Sequence, residues 1–285
     1  MSDIEQRKLD HIGIVMSGAA GHSSPAGFDD VRFVHNALPE LDLDAIDLSV
    51  EFLGKTLRLP YLASSMTGGP NISDRINGAI AEAAQQLGFA MGVGSQRISL
   101  TTAGSHGLDK QLRRLAPDIP IYANLGAVQL VNGMGLEEAR RAVDQIGADA
   151  LILHFNPLQE ALQAGGDCNW AGVEAATEKL ANALSVPIIA KEVGSGISVA
   201  VARRLVACGV AAIDVAGAGG TSWAAVEGQR ASDVAQQALG EIFRDWGIPT
   251  SRCLADVSAA LPQTPLIASG AVSYTHLTLP TSDLV

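Results

Sequence analysis

One order of segments repeats along this chain from residue 60 onward: a short apolar run, a polar or glycine-rich loop, and a stretch with helical periodicity. The apolar runs predict strands at 60–66, 89–93, 121–125, 149–153, 187–190, 211–215 and 265–269. The periodic stretches predict helices at 75–87, 135–146, 172–184, 198–208 and 249–261. Strands that alternate with helices of about a dozen residues indicate a parallel sheet covered by helices.

Seven such strands, with polar residues clustered after them, favour an α/β protein of the (β/α)8 or TIM-barrel class over an open doubly wound sheet. An open sheet usually carries a GxGxxG turn after its first strand. Here the first predicted strand is followed by MTGGP at 66–70, which is not that pattern. The chain has 285 residues, of which 47% are hydrophobic, so it can bury the core of one such domain, predicted over 60–270.

The two ends of the chain depart from the repeat. Residues 1–59 precede it and predict an N-terminal extension that packs on or across the barrel, with a strand at 41–52 and a turn at 54–58. Residues 271–285 have no helical period, and Pro280 interrupts their only β-like run. We therefore expect a barrel that is C-terminally incomplete, with about seven of eight βα units, and a non-native tail over 271–285.

Charge and cysteine content limit the class of partner and the compartment. The formal net charge is −11, and an acidic surface repels nucleic acid and anionic membranes, because phosphate contacts need lysine and arginine. The N-terminus has no apolar run long enough for a signal peptide or a membrane span. Three cysteines, far apart and without CxxC spacing, are typical of reduced thiols. We expect a cytoplasmic protein that binds neither nucleic acid nor membrane.

Polar residues follow the predicted strands, and in a barrel the residues just past the carboxyl ends of the strands line the active site. They lie at 64–69, 94–97, Asn124, 154–160, Lys191, Glu192 and 217–223. Together they supply hydroxyls, amides, one lysine, and glycine-rich loops whose backbone N–H groups can approach an anion. Neither a Ser/His/Asp nucleophile set nor a His/Cys cluster with zinc spacing is recognisable. Many neutral donors with one lysine suit a flavin, whose reduced ring carries negative charge near N1.

Each of these residues also has an ordinary structural interpretation. Thr67 and Ser95 fit loop hydroxyls or helix caps, and His154 alone fits a hydrogen-bonded core histidine. Glu160 fits a helix cap, and Glu192 fits a partner for a neighbouring cation. Their coincidence on one predicted rim favours a functional site.

Seven motifs, in order along the chain, carry a resemblance to a known family. They are RKLDHI at 7–12, SSMTGG at 64–69, GSQR at 94–97, ANLGAVQL at 123–130, HFNPLQE at 154–160, KEVGSGIS at 191–198 and AGAGGTSW at 216–223. Together they resemble the type 2, FMN-dependent isopentenyl-diphosphate isomerase family from residue 7 to about 270. The FMN-dependent 2-hydroxy-acid oxidases share the general barrel, but no comparable set of motifs matches them.

The resemblance implies an isomerase of isoprenoid biosynthesis that interconverts isopentenyl and dimethylallyl diphosphate without net redox change. It implies FMN in its reduced form, Mg²⁺ on the substrate diphosphate, NADPH as a reductant for the flavin, and assembly as a homo-oligomer. Two alternatives stay open: an FMN-dependent oxidoreductase on the same barrel, and a truncated fragment without catalytic activity.

Site residues follow from the resemblance position by position. The substrate-binding positions are Arg7, Lys8, Ser95, Gln96, Arg97 and Gln159, and the catalytic pocket is formed by His154, Asn156 and Gln159. The flavin positions are Ser65, Met66, Thr67, Ser95, Asn124, Lys191, Thr221 and Gly270, where the turn for the FMN phosphate starts, and the magnesium ligand is Glu160. A glutamine is no conventional acid near pH 7, so Gln159 is expected to orient the substrate or relay a proton.

Overall fold

A computed structural model describes residues 3–65, 72–101 and 107–272. The helices are α1 Asp3–Met16, α2 Ile72–Leu87, α3 Arg97–Thr101, α4 Lys110–Leu115, α5 Leu136–Ile146, α6 Pro157–Leu162, α7 Val173–Ala183, α8 Val199–Ala207, α9 Trp223–Arg230, α10 Val234–Ile242 and α11 Thr250–Ala260. The strands are β1 Val50–Phe52, β2 Lys55–Leu57, β3 Leu62–Ala63, β4 Ala90–Gly92, β5 Ile121–Gly126, β6 Ala150–Phe155, β7 Ile188–Glu192, β8 Ala212–Asp214 and β9 Leu266–Ile267. Three short 3₁₀ turns lie at Phe28–Asp30, Leu43–Ala45 and Ala127–Val131.

Strands β3 to β9 form one seven-stranded sheet whose spatial order is the order of the chain. All six neighbouring pairs are parallel. A sheet that adds each new strand next to the previous one is wound in a single direction, as in a barrel, whereas a doubly wound sheet reverses its strand order. The prediction of a TIM-barrel-type α/β fold is confirmed, and each of the seven predicted strands overlaps an observed one.

Apolar residues alternate between two layers along the central strands. On β6, Leu151 and Leu153 belong to the large core between sheet and helices. Ala150 and Ile152 belong to a second core, inside the curled sheet. Because successive residues of a strand point to opposite faces, this alternation assigns the later residues of the same strand to a face as well.

The β1–β2 hairpin closes the end of the sheet opposite the carboxyl ends of its strands. Leu57 is buried in the inner core, and Phe52 packs against it. The predicted strand over 41–52 is wrong except for its last three residues. Its acidic residues bond the local backbone instead: Asp42 accepts the N–H of Asp44 at 3.0 Å, a geometry that competes with strand pairing.

Two further features of the first 59 residues differ from expectation. The predicted turn at 54–58 is wrong, because Lys55–Leu57 is a strand and the reversal lies at Leu53 and Gly54, both with positive φ, as a tight hairpin requires. Residues 3–16 form helix α1, which was not predicted.

The described helices include none that is long and apolar enough to cross a membrane. The sequence after Val272, which contains nearly all of the predicted non-native tail, lies outside the described residues, as do Met66 and Thr67.

Candidate functional site

A cavity of about 390 Å³ opens at the carboxyl ends of the strands and beneath helix α1. Its volume lies in the range of small-molecule sites, about 300–1,000 Å³. Of the predicted site residues, the cavity is lined by Arg7, Lys8, Ser65, Ser95, Arg97, Asn124, His154, Asn156, Gln159, Glu160 and Lys191. Strand alternation places several of them here: on β6 the inner-face series Ala150 and Ile152 continues into His154.

His154 and Asn124 form a hydrogen-bonded pair across neighbouring strands. The His154 Nδ1 atom lies 2.7 Å from Asn124 Oδ1. Burial, reinforced by the positive charges of Lys191 and Lys8, lowers the pKa of His154 to about 4. The imidazole is therefore neutral near pH 7, with Nδ1 donating to the amide oxygen and Nε2 left as an acceptor.

Helix α6 begins two residues after β6 and carries the predicted site residues Gln159 and Glu160 at the cavity. Pro157 occupies its first turn, where the missing N–H has no cost. Asn156 precedes it and donates through Nδ2 to Gln159 Oε1 at 3.1 Å and to Glu160 Oε1 at 3.0 Å. The buried Oδ1 of Asn156 has no hydrogen-bond partner among the described residues, so it remains available to a ligand.

Glu160 is a buried carboxylate whose orientation is fixed by several donors. Its Oε2 accepts the backbone N–H of Asp167 at 2.8 Å and Nε2 of Gln163 at 3.4 Å, while Oε1 accepts Asn156 Nδ2. Two carboxylate oxygens offer about four acceptor positions, so one remains for a cation. The described residues hold no cluster of three carboxylate, histidine or cysteine side chains. Mg²⁺ often uses one protein carboxylate together with substrate phosphates and water, so the donor set of Glu160 fits this ion.

Glu227 on helix α9 was missed by the sequence analysis, although it connects two predicted regions. Its Oε1 accepts Gln159 Nε2 at 3.1 Å and lies 3.0 Å from His11 Nε2. Arg230 donates to its other oxygen at 2.7 Å. Burial acts to raise the pKa of Glu227, but the contacts with His11, Gln159 and Arg230 outweigh it and hold the pKa below its usual value.

Each side of this contact lies in or close to one of the quoted sequence motifs. His11 lies in the RKLDHI motif, and Glu227 lies one helical turn after Trp223 of AGAGGTSW. His11 and Trp223 also stack edge to face, with ring centroids 5.0 Å apart. Neither motif by itself shows that α1 and α9 meet above Gln159.

Helix α1 brings two cations to the cavity, as the predicted substrate-binding arm requires. Lys8 Nζ reaches the carbonyl of Ser95 at 3.4 Å. Burial, together with the charge of Arg7, lowers the pKa of Lys8 to about 8. Burial also lowers the pKa of Arg7, against the attraction of Glu227 and Glu160. Two partly buried cations in an acidic protein mark a local anion site.

Lys191 is held on the opposite side of the cavity by a buried acid. Its Nζ lies 3.1 Å from Asp214 Oδ2 and 3.1 Å from Ser269 Oγ, and Ser269 Oγ donates to Asp214 Oδ1 at 2.5 Å. Lys191 and Asp214 are register partners on β7 and β8. The lysine is therefore a fixed donor at the inner face of the sheet, and the hydroxyl of Ser65, which has no hydrogen-bond partner among the described residues, lines the same cavity.

Several predicted residues are not brought to this cavity. The side chain of Gln96 is fully buried and bonds the carbonyl of Ala142 and the N–H of Asn124, so it joins α5 to β5. Thr221 pairs with Gly21 of the N-terminal segment. Gly270 has a φ of 95° and accepts a hydrogen bond from the Thr250 hydroxyl at 2.5 Å.

Comparison with protein families and named proteins shows what the chain is similar to. No protein-family model matches it. An isopentenyl-diphosphate delta-isomerase of Stutzerimonas stutzeri is 61% identical over 267 residues, covering 93% of this chain and 77% of the relative. One of Xanthobacter autotrophicus is 58% identical over 270 residues, covering 94% and 78%. One of a Synechococcus species is 51% identical over 276 residues, covering 96% and 78%.

Solved structures with a similar fold include oxidases of much lower identity. A mandelate oxidase in complex with 3,3-difluoro-2-hydroxy-3-phenylpropionic acid superposes with a TM-score of 0.55 at 16% identity, covering 95% of this chain and 77% of that one. A lactate oxidase of Pediococcus acidilactici superposes with a TM-score of 0.53 at 15% identity, covering 95% and 68%. At such identity the likeness establishes the fold alone.

Proposed function

Because the chain belongs to the isopentenyl-diphosphate delta-isomerase family, we propose that it interconverts isopentenyl diphosphate and dimethylallyl diphosphate. The observation that carries the proposal is the composition of one cavity. Arg7, Lys8 and Arg97 line it together with the amide of Gln159 and the carboxylate of Glu160. Such a cavity offers charge to a diphosphate and a concave space to a short alkenyl chain.

The three cations would bind the diphosphate of the substrate. Arg97 can offer a planar pair of N–H groups to phosphate oxygens, and Lys8 a compact charge. Glu160 would hold Mg²⁺ with its remaining acceptor position, and phosphate oxygens and water would complete the shell. The fixed carboxylate therefore sets where the metal-bound end of the diphosphate lies relative to Gln159.

We place FMN against the inner face of the sheet. The donors there fit a flat heteroaromatic ring: Lys191 is held by Asp214, and the Ser65 hydroxyl has no hydrogen-bond partner among the described residues. Bound in its reduced state, FMN would supply an electron-rich ring able to stabilise positive charge that develops on the alkene. NADPH is the proposed reductant.

Moving a double bond requires one proton added to carbon and another removed. Gln159 is held between a donor, Asn156, and an acceptor, Glu227, so its amide has one orientation. Glu227 Oε1 stays ionised near neutral pH, because its pKa is held below the usual value, and it fixes the orientation of both His11 and Gln159. The neutral imidazole of His154 adds a polar group without adding charge to the cavity. Together these residues would bind the substrate, and Gln159 would orient it or relay a proton.

One assay separates this function from the two alternatives. The purified chain is given FMN and Mg²⁺, then isopentenyl diphosphate with NADPH far below the substrate concentration. Dimethylallyl diphosphate in excess of the NADPH supports the isomerase, whereas one NADPH oxidised per product indicates an oxidoreductase. A chain that stays colourless with added FMN and forms no product would instead be a fragment without catalytic activity.

We propose further that the protein is cytoplasmic and assembles as a homo-oligomer. Light scattering during size-exclusion chromatography tests the second point, because a mass equal to the 29.4 kDa of one chain would contradict it.

A further inference from the structure

A short loop after helix α6 folds back over Glu160. The N–H of Asp167 and the side chain of Gln163 both donate to the Glu160 carboxylate, at 2.8 and 3.4 Å. Gly166 allows this approach, since a Cβ atom there would overlap the carbonyl oxygen of Glu160. The loop is therefore built around Glu160, and Asp167 lies at its point of contact.

The side chain of Asp167 points to a different partner. Its Oδ2 accepts Arg97 Nη1 at 2.9 Å and Gln129 Nε2 at 2.8 Å. Arg97 is a cavity residue, with 36% of its side chain exposed, against 25% for Asp167. One residue thus anchors the proposed metal ligand through its backbone and a proposed phosphate ligand through its side chain.

Charged side chains of both signs lie at this end of the cavity. The cations are Arg7, Lys8 and Arg97. The carboxylates in contact with cavity side chains are Glu160, Glu227 and Asp167. Arg230 pairs with Glu227 at 2.7 Å, and the charge of Arg97 is already compensated by Asp167 before any anion arrives.

We propose that Asp167 is a positioning residue that makes this site select metal-complexed diphosphate over metal-free diphosphate. The inference rests on the proposed function only in taking the ligand of Arg97 to be a diphosphate. Asp167 orients the guanidinium and reduces the positive potential that a free diphosphate meets. A Mg²⁺ ion offsets two negative charges of the incoming diphosphate and is itself attracted to Glu160. The negative charge of Asp167 therefore weakens binding of the metal complex less than binding of the free diphosphate.

The test measures binding of inorganic pyrophosphate by calorimetry, with the full chain and a fixed FMN concentration, once with Mg²⁺ and once with EDTA. Asp167→Asn keeps an oxygen acceptor for Arg97 and removes the charge. We expect metal-free pyrophosphate to bind about fivefold tighter to this variant, and the Mg²⁺ complex to change by less than about twofold. The preference for the metal complex would fall accordingly.

Two controls separate this role from general effects. Glu174→Gln removes one negative charge from an arginine-bound carboxylate far from the cavity, on α7, and should leave both affinities unchanged. In an Arg97→Gln background, Asp167→Asn should no longer tighten metal-free binding, because Asp167 acts through Arg97. If Asp167→Asn does not fold, Asp167→Ser removes the same charge.

The outcomes are distinct. A weakening of both affinities by the same factor would show that Asp167 only supports the loop, and would overturn the inference. The same tightening in Glu174→Gln would assign it to net charge and would also overturn it. If the unaltered chain binds no pyrophosphate with or without Mg²⁺, the diphosphate site is wrong and the inference fails with it. Selective tightening in a chain that does not isomerise would overturn the proposed activity and leave this inference standing.

Discussion

Strands β6 and β7 lie side by side and end at the same rim, and on each strand the last two residues point to opposite faces of the sheet. His154 pairs in register with Lys191, and Phe155 with Glu192. His154 and Lys191 face the cavity. Phe155 packs against the outer core, with its ring centroid 6.5 Å from that of Trp170. Successive side chains of a strand point to opposite faces, and this alternation, more than residue type, decides which polar residue reaches the cavity.

Glu192 therefore occupies the outer-face position at which β6 has a phenylalanine. It is buried, and its Oε2 accepts the backbone N–H groups of Val193 at 2.6 Å, Gly194 at 2.7 Å and Gly196 at 3.1 Å, and that of Ser195. Burial raises the pKa of Glu192 to about 7, although these N–H donors oppose the rise. His154 of β6 and Lys191 of β7 thus supply groups to the cavity, whereas the outward-facing Phe155 packs in the core and the outward-facing Glu192 organises a loop.

The largest effect on turnover should follow the loss of Gln159, on the helix that comes after β6. Gln159→Ala removes the amide between Asn156 and Glu227, and we expect kcat to fall at least about 100-fold because the proton-handling group is lost. Flavin absorbance and the unfolding midpoint should stay unchanged. The matched control is Gln236→Ala on the exposed surface of α10, and turnover retained in Gln159→Ala would remove Gln159 from the mechanism.

The loss of Glu192, at the end of β7, should lower stability instead. Glu192→Ala leaves four backbone N–H groups without their acceptor, and we expect the free energy of unfolding to fall by about 2–4 kcal/mol in urea titrations. Glu178→Ala, an exposed glutamate on α7, should change it by less than about 0.5 kcal/mol. Equal stability of the two variants would contradict the structural role of Glu192.

The two strand ends should also respond oppositely to pH. The pKa of Glu192 rises from 4.5 to about 7 on folding. Its contribution to the free energy of unfolding is therefore complete below pH 4.5 and is lost as the pH rises through about 7. The pKa of His154 falls from 6.5 to about 4, so its contribution is complete above pH 6.5 and is lost as the pH falls through about 4. The two slopes therefore oppose each other between about pH 4.5 and 6.5.

Single variants should show how the stability contribution of each residue depends on pH. In Glu192→Gln, stability should increase with pH across that window, because His154 is left. In His154→Gln it should decrease with pH, because Glu192 is left. Urea titrations at three pH values suffice, and identical slopes in both variants would refute the opposition.

The smallest expected effect concerns Lys8, whose charge also reaches His154 on β6. Burial lowers the pKa of Lys8 to about 8, so the ammonium is lost as the pH rises through that value. KM for the diphosphate substrate should then increase about three- to tenfold between pH 7 and pH 9. Lys8→Arg should abolish this increase, since arginine stays charged. An unchanged pH profile in Lys8→Arg would assign the increase to another group.

Much of the fold was predictable because its signals are local. The apolar runs of β5, β6 and β7 are long enough to be recognised, since parallel strands buried on both faces read as continuous apolar segments. The predicted strand at 41–52 was wrong because a local signal can be ambiguous. Its alternating pattern also fits a segment whose aspartates accept hydrogen bonds from the local backbone.

The sequence by itself determined the barrel repeat, the family and most of the polar residues that line the cavity, because each of these depends on spacing within one segment. Tertiary structure decided which of them work together. It directed Gln96 into the packing of α5 and turned Glu192 to its own loop. It joined His11 of α1 to Glu227 of α9, 216 positions apart, and set Asp167 against Arg97, 70 positions apart. Contacts of this kind depend on how helices pack over the rim, and no local period in the chain encodes that packing.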